Sequence, residues 1–307
     1  MNKGENIMRI NVNELDDRYN FFICGASYAG NPENNTMMYI SKKVAYLLDN
    51  LNGHEECLVF LEKGIDVPLE LKDRNCFVLS ENPQLSYAKF ANVFYQGQRK
   101  QEIQWGYTLT EGGYYIGHNV EIGHNAYIEP GCLIGHNVVI GDNATILSGA
   151  VIKYATIGDN FLCNENAVIG YYSFTMAEDS IGNKYRIPAL GRVLIGDCVE
   201  IGANTTVEIG ACGDTILEDY VKLDGLVLVG HEAHLHKNVE ITAGTIIAGF
   251  VEIGKHSYLG LNSTLKNRIH LGSNVIVGMG SNVIKSVEEG TTVIGNPAKP
   301  LIKKYCE

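Results

Sequence analysis

The chain has 307 residues and a formal net charge of −11, with 35 Asp and Glu against 24 Lys and Arg. That length holds two domains and a sizeable core. The acidic balance argues against sequence-independent nucleic-acid binding, which needs a basic face, but leaves room for a small anionic ligand held by local cations. No run of about eighteen apolar residues exists to span a membrane. The opening MNKGENIMRINVNEL lacks the apolar stretch of a signal peptide. The eight cysteines form no CxxC or short-spaced frame, so they read as reduced thiols in a cytoplasmic protein.

Residues 1–97 suggest a small α/β domain. FFICG at Phe21 reads as a strand. Ser41–Asn50 (SKKVAYLLDN) reads as an amphipathic helix with Ser41 as N-cap. CLVFLE at Cys57 and NCFVLS at Asn75 read as buried strands, and NPQLSYAKFANVFY from Asn82 to Tyr95 as a second helix, with Pro83 at its start. The polar stretch that follows carries neither period, and 98–107 is expected to be a linker.

From 108 to 295 the chain obeys a different rule. Ile116 to Val151 divides into hexads such as IGHNVE, IGHNAY and IGDNAT. Leu217 to Asn282 divides into eleven without remainder, each opening on Leu, Ile or Val. Short fixed periods of this kind mark a hexapeptide β-helix, each hexad forming one short strand and a corner. The apolar opener points inward, and Gly, Asn and Asp take corners where positive φ is needed. Recurrent Gly and Asn, with no 3.6-residue stripe, exclude a helical reading. Cys132, Cys163, Cys198 and Cys212 fall inside the pattern as small core or corner residues. His118, His124 and His136 each sit in an IGHN corner and read as solvated. The expected fold class is mainly β: a parallel β-helix with a small N-terminal α/β domain.

Two interruptions stand out. Residues 170–192, carrying Tyr171, Tyr172, Phe174, Tyr185 and Arg186, break the hexads. Insertions in a solenoid emerge as loops on one face, often the binding face, so this one either packs as a flap or meets a ligand. Gly213–Ile216 adds four residues just before the unbroken run. Pro297 and Pro300 end the repeat, and the tail 296–307 closes the coil.

One pair of positions carries chemistry. Three hexads make a coil of 18 residues, so Gly249 lies one coil beyond His231, about 4.8 Å along the axis. A glycine there lets a ligand approach the backbone N–H. A histidine beside a free N–H is the minimal kit for acyl transfer: the imidazole takes a proton, and the N–H stabilises the tetrahedral oxyanion. Asp224, one side of the coil earlier, is placed to orient the imidazole or to meet a substrate amine. His231 and His236 have spacing suggestive of a metal hydratase, but zinc needs about three protein ligands. Residues 190–205, where the third would fall, contain no histidine, so no metal is expected.

The segments LGRVLIGDCVEIGANTTVEIGACGDTI, VKLDGLVLVGHEAH and ITAGTIIAG closely resemble the UDP-3-O-acylglucosamine N-acyltransferases of lipid A synthesis. The resemblance runs over nearly the whole chain, strongest from Gly191 to Gly249. It implies a trimeric left-handed β-helix enzyme with an N-terminal uridine-binding domain. By the matching segments, His231 is the general base and the Gly249 N–H the oxyanion donor. It also implies an acyl carrier protein thioester as donor and no tightly bound cofactor.

The family's uracil-stacking segment resembles MMYISKKVAYLL. Tyr39 matches one aromatic, Tyr46 the other with a one-residue shift, and Lys42 replaces an Asn between them. The alternative is that Tyr39 ends a strand and Tyr46 packs the helix. The family's second histidine is Asn267 here. The ending GNPAKPLIKK is similar to that of coenzyme A-dependent hexapeptide acetyltransferases, which leaves acyl-CoA open as donor. A dTDP- or UDP-linked amino-dideoxy sugar for surface glycans is then open as acceptor. O-acylation and a non-catalytic solenoid scaffold are the remaining alternatives.

Overall fold

A computed structural model describes residues 9–301. Two compact units emerge. The first takes the described residues up to 104 together with 174–191 and 211–213; the second takes 105–173, 192–210 and those from 214 on.

In the first unit, four parallel strands lie in chain order: Gly25–Ala26, Thr36–Ile40, Leu58–Glu62 and Cys76–Ser80. TMMYI and LVFLE are almost continuously apolar because a parallel sheet is covered on both faces. The two-residue alternation sorts them. Met37, Leu58 and Phe60 pack with Tyr87, Ala91 and Phe94 of the long helix Pro83–Trp105. Met38, Ile40, Val59 and Leu61 pack with Leu47, Leu48, Leu51 and Leu71 on the other side.

Several expectations change here. The FFICG strand is split into Phe22–Ile23, antiparallel to Ile10–Asn11, and Gly25–Ala26. The expected first helix is a kinked 3-10 segment, Lys42–Leu51. Ser41 stands at its N-cap position without a side-chain hydrogen bond, and Val44 leaves helical geometry. The expected linker 98–107 is largely helix, because the long helix continues to Trp105. Its N-terminus is capped by Asn82, whose Oδ1 accepts from the Leu85 amide at 3.0 Å.

The interruption at 170–192 is also corrected. Met176–Glu178 and Lys184–Arg186 form an antiparallel hairpin, and the described interactions of 174–191 build the first unit. Ala177 and Ile187, with Ala211 and Cys212 just before the second interruption, are buried in the same cluster as Tyr87 and Phe94, so Cys212 belongs to the first unit's core and not to the coil pattern in which it was expected. Asn82 and Asn92 each donate a 2.8 Å hydrogen bond to the hairpin backbone, at Glu178 and Arg186. The 170–192 insertion was expected on a face of the solenoid, either as a packing flap or in contact with a ligand. Together with Ala211 and Cys212 it completes the apolar core of the first unit.

The second unit is the β-helix. Its strands form three sheets, and neighbours on a sheet, apart from an antiparallel pair at each end of the coil, are parallel and typically 18 residues apart, as in Leu228↔Ile246↔Thr264↔Asn282. Every apolar hexad opener from Leu217 to Val277 is at most 3% exposed, so the sequence period and the core coincide. Corner asparagines such as Asn125 (φ 56°) and Asn143 (φ 59°) occupy the left-handed region, which Asn tolerates better than other non-glycine residues. Of the three IGHN histidines, His124 is exposed at its corner. His136 is not solvated: it is 7% exposed, lies 4.6 Å from the Tyr107 ring, and its Nδ1 accepts from the His118 amide at 2.8 Å. His118 stacks on Trp105 at 4.7 Å. Aromatic residues at the start of the coil cover this column. Cys24, Cys57, Cys76, Cys132, Cys163 and Cys198 are unpaired thiols; burial pushes Cys57 and Cys163 up to about 12. Cys306 lies outside the described residues, as do the last six residues of the expected tail.

Candidate active site

His231 follows the strand Leu228–Val229 at a corner of the second unit. The residue before it is Gly230, where a Cβ would come within 2.7 Å of the Gly249 nitrogen. A side chain there would fill the space over that amide, so the glycine keeps the approach open. The imidazole itself rests on the next coil. A Cβ added to Gly249 would meet His231 Nε2 at 2.5 Å and Cε1 at 2.6 Å. The 18-residue spacing inferred from the hexads therefore brings His231 and Gly249 into direct contact.

The Gly249 amide lacks the cap seen along part of another column of corners, where the amide two residues past a strand donates to a side chain on a following coil. His124 N–H donates to Asp142, Asp142 to Asp159, Asp159 to Asp197, and Asp197 to Asp219, at 2.6–3.0 Å. One coil beyond Gly249 stands Asn267, which is exposed and caps no amide among the described residues. Gly249 N–H donates no hydrogen bond among the described residues, although the residue is buried. A buried donor without an acceptor is costly, and here it lies under the imidazole.

Asp224 does not orient that imidazole. Its carboxylate accepts from the amides of Gly225 (2.7 Å) and Ala243 (3.2 Å). The orienting group is Glu232, whose carboxylate meets His231 Nδ1. Glu232 reaches back because its backbone is left-handed, with φ 51°. Its side chain is only 5% exposed, against 20% for His231, and its own amide donates to the buried Thr215 hydroxyl at 3.0 Å. With Nδ1–H donated to a carboxylate, the neutral ring presents the Nε2 lone pair. Nε2 has no partner among the described residues.

Two more groups frame the ring. Phe250 stands edge-on at 5.4 Å, and the Arg268 guanidinium lies 4.0 Å over the Phe250 ring. Glu232, Phe250 and Arg268 form one 18-residue column, all with left-handed backbone at φ 51°, 59° and 61°. Elsewhere asparagine often fills this kind of corner. Tyr154, Cys198, Tyr220, Leu226 and His256 take the same geometry at other corners, so the conformation belongs to the coil and its use here is to place Glu232 and Phe250 against the ring.

Half of the chain has curated relatives. A UDP-3-O-acylglucosamine N-acyltransferase of Caulobacter sp. (strain K31) is 38% identical over 152 residues, covering 50% of this chain and 44% of the relative. A second protein of that name, from Legionella pneumophila (strain Paris), is 37% identical over 147 residues, covering 48% and 43%. The solved UDP-N-acetylglucosamine acyltransferase of Bacteroides fragilis 9343 superposes with a TM-score of 0.57 at 26% identity. That match covers 62% of this chain and 73% of that one. Family models match at residues 116–217 (GMPPB C-terminal domain) and 250–285 (hexapeptide repeat of succinyl-transferase).

This is a left-handed β-helix of hexapeptide repeats, homologous over half its length to UDP-3-O-acylglucosamine N-acyltransferases. The chain spans less than half the length of the curated relatives it matches, a narrower likeness than the near-whole-chain resemblance read from the motifs.

In this β-helix protein the two aromatic positions expected to hold a base sit differently. Tyr39, in the strand Thr36–Ile40, packs 5.2 Å from the Tyr87 ring within the first unit's core. Tyr46 is 69% exposed on the 3-10 segment.

Glu208 was missed in the sequence. Its Oε2 accepts from the His231 amide at 3.2 Å, and it is 9% exposed. Counting back 18 residues from His231 gives position 213. The short interruption lengthens this coil, so that Thr206 pairs with Leu228, and the neighbour becomes Glu208. Burial, the largest cause, raises its pKa above the ordinary carboxyl value, and the His231 amide opposes this. The folded state therefore holds this proton above the pH at which the unfolded chain, near 4.3, releases it. This group's contribution to stability is greatest below that value and is lost as pH rises through the folded value. Glu208→Gln keeps an acceptor for the amide and removes the titration. Its melting temperature, followed from acid to neutral pH, is expected to fall less than the wild type's across that window. Parallel curves would remove Glu208 from the linkage.

Proposed function

We propose that the chain is an N-acyltransferase, moving an acyl group from a thioester to the amine of a nucleotide-linked amino sugar of UDP-3-O-acylglucosamine type or similar. The observation that carries this is His231 seated on Gly249, with Nδ1 held by Glu232 and, among the described residues, Nε2 without a partner and the Gly249 amide without an acceptor. The amine nitrogen attacks the thioester carbonyl carbon. A C–N bond forms, and the carbonyl oxygen becomes an oxyanion that accepts from Gly249 N–H. Nε2 takes the amine proton as Glu232 stabilises the imidazolium. Collapse breaks the C–S bond, and the proton passes to the departing thiolate. Products are an amide and a free thiol, with no covalent enzyme intermediate and no metal in the cycle.

The names of the curated relatives support the reaction class and acceptor. The donor is acyl carrier protein thioester or acyl-CoA. Three further elements belong to the proposal. A homotrimer follows the family and the closed symmetry that soluble oligomers favour. A cytoplasmic location fits unpaired thiols, and no described helix is long and apolar enough to cross a membrane. Tyr39 or Tyr46 in base binding and Asp224 in meeting the amine are the remaining roles to test.

A thermal-shift panel of UDP, dTDP, coenzyme A and buffer tests the reading. A ligand at about 100 times its dissociation constant adds roughly 2.7 kcal/mol, visible as a shift of a few degrees. The expected result is a shift with a nucleoside diphosphate. UDP without coenzyme A supports a carrier-protein donor; dTDP with coenzyme A supports an amino-dideoxy sugar acceptor. No shift with any of the three, and no amide product from acyl thioester plus amino sugar, overturns the proposal.

A further inference from the structure

One cluster lies outside the machinery just described, on the side of the coil that follows the His231 corner. His234 and His236 flank the buried Leu235. Strand alternation sends both to the outside. The preceding coil pairs in register, Ile216↔His234 and Leu217↔Leu235, which brings Glu218 level with His236. Glu218 Oε1 lies 3.0 Å from His234 Nε2 and 2.8 Å from His236 Nδ1. The three ligand-type atoms all fall within 4.8 Å of one another.

Their surroundings are organised as well. Glu252, one coil on, meets His236 Nε2 at 2.9 Å, which fixes the ring with Nδ1 towards Glu218. His270 holds the other Glu252 oxygen at 3.3 Å. The Lys237 amide donates to Glu218 Oε2 at 2.9 Å, leaving Oε1 for the two imidazoles. A carboxylate on the far nitrogen of a ligand histidine, and a second oxygen of the ligand carboxylate tied to the backbone, are the outer supports that metal sites use. A chain of hydrogen bonds alone would not require both imidazoles to converge on one oxygen.

We infer that Glu218, His234 and His236 form a site for a divalent transition ion of the zinc, cobalt or nickel kind. Two imidazoles and one carboxylate suit those ions better than magnesium or calcium. Metal–ligand bonds of about 2.0–2.2 Å need ligand atoms on the order of 3.3 Å apart, so the present 2.8–3.0 Å contacts open by about half an ångström. Three protein ligands leave a position for water, and His236 and His270 also line a cavity of about 460 Å³. The ion clips two successive coils together. This inference is independent of the acyl-transfer reading. The spacing argument weighed His231 with His236; the geometry pairs His236 with His234 instead.

The test uses the full chain in chelator-treated buffer, titrated with zinc chloride and, separately, with cobalt(II). One zinc per chain is expected, with a melting temperature that rises on addition, and a visible cobalt spectrum of low coordination number. His234→Ala and Glu218→Gln each abolish the cobalt signature. Glu252→Gln, which leaves all three ligands in place, weakens binding by about ten-fold. Circular dichroism of each variant separates lost binding from lost fold. No binding by wild type at millimolar zinc, or binding unchanged in a folded His234→Ala variant, overturns the site.

Discussion

Replacing His231 by alanine is expected to lower turnover by about 10²-fold or more, the usual scale for loss of a general base. Steady-state kinetics with an acyl thioester and an amino sugar would measure it. The side chain is 20% exposed and packs against a glycine, so its removal empties no core position and the fold should persist. The loss should fall on kcat, because Nε2 acts on a proton that moves only in the transition state. A folded variant with near-normal turnover would remove His231 from the chemistry, and with it the proposed mechanism.

Gly249→Ala should be at least as damaging. Its new methyl would stand 2.5 Å from Nε2, closer than atoms tolerate, so the ring must move. Misplacement of a catalytic group by about 1 Å can cost 10²-fold, and disturbing an oxyanion donor costs about 10²–10³-fold. The double variant His231→Ala/Gly249→Ala separates these effects. If the methyl acts only by displacing the ring, it costs nothing once the ring is gone. If it also disturbs the oxyanion site, a further loss remains. Full activity in the single Gly249→Ala variant would contradict the contact between the two residues.

The β-helix was legible because one period governs both its backbone and its core: the openers from Leu217 to Val277 are all buried. The His231/Gly249 contact was legible for the same reason, since a fixed coil length turns sequence separation into distance. The same counting shows why Asp224 was misread. Seven residues is one six-residue side plus one, which puts Asp224 at a different corner of the coil, whereas Gly249 lies one coil away and Glu232 is adjacent. The φ of 51° at Glu232 was invisible because Glu has no marked preference for that region. Glu208 was hidden by the short interruption, whose position was visible but whose effect on register was not applied. The first unit was read less well. Its strands announce themselves by apolar runs, but the helix to Trp105 carries a polar second half that resembles a linker, and the hairpin at 176–186 completes a core that no local pattern reveals.

The division of the chain between the two units has a consequence for synthesis. Following the sequence, the backbone passes from one unit to the other five times. The first unit's apolar cluster needs Ala177, Ile187, Ala211 and Cys212. Domains usually fold N-terminal first as they leave the ribosome. Here the N-terminal sheet emerges early but cannot close its core until more than two hundred residues have been made, by which time several coils of the solenoid are already available to stack. The nascent chain must hold an unfinished sheet while the repeats behind it form. The two units are therefore not exchangeable modules, and neither can be cut out at a single pair of boundaries.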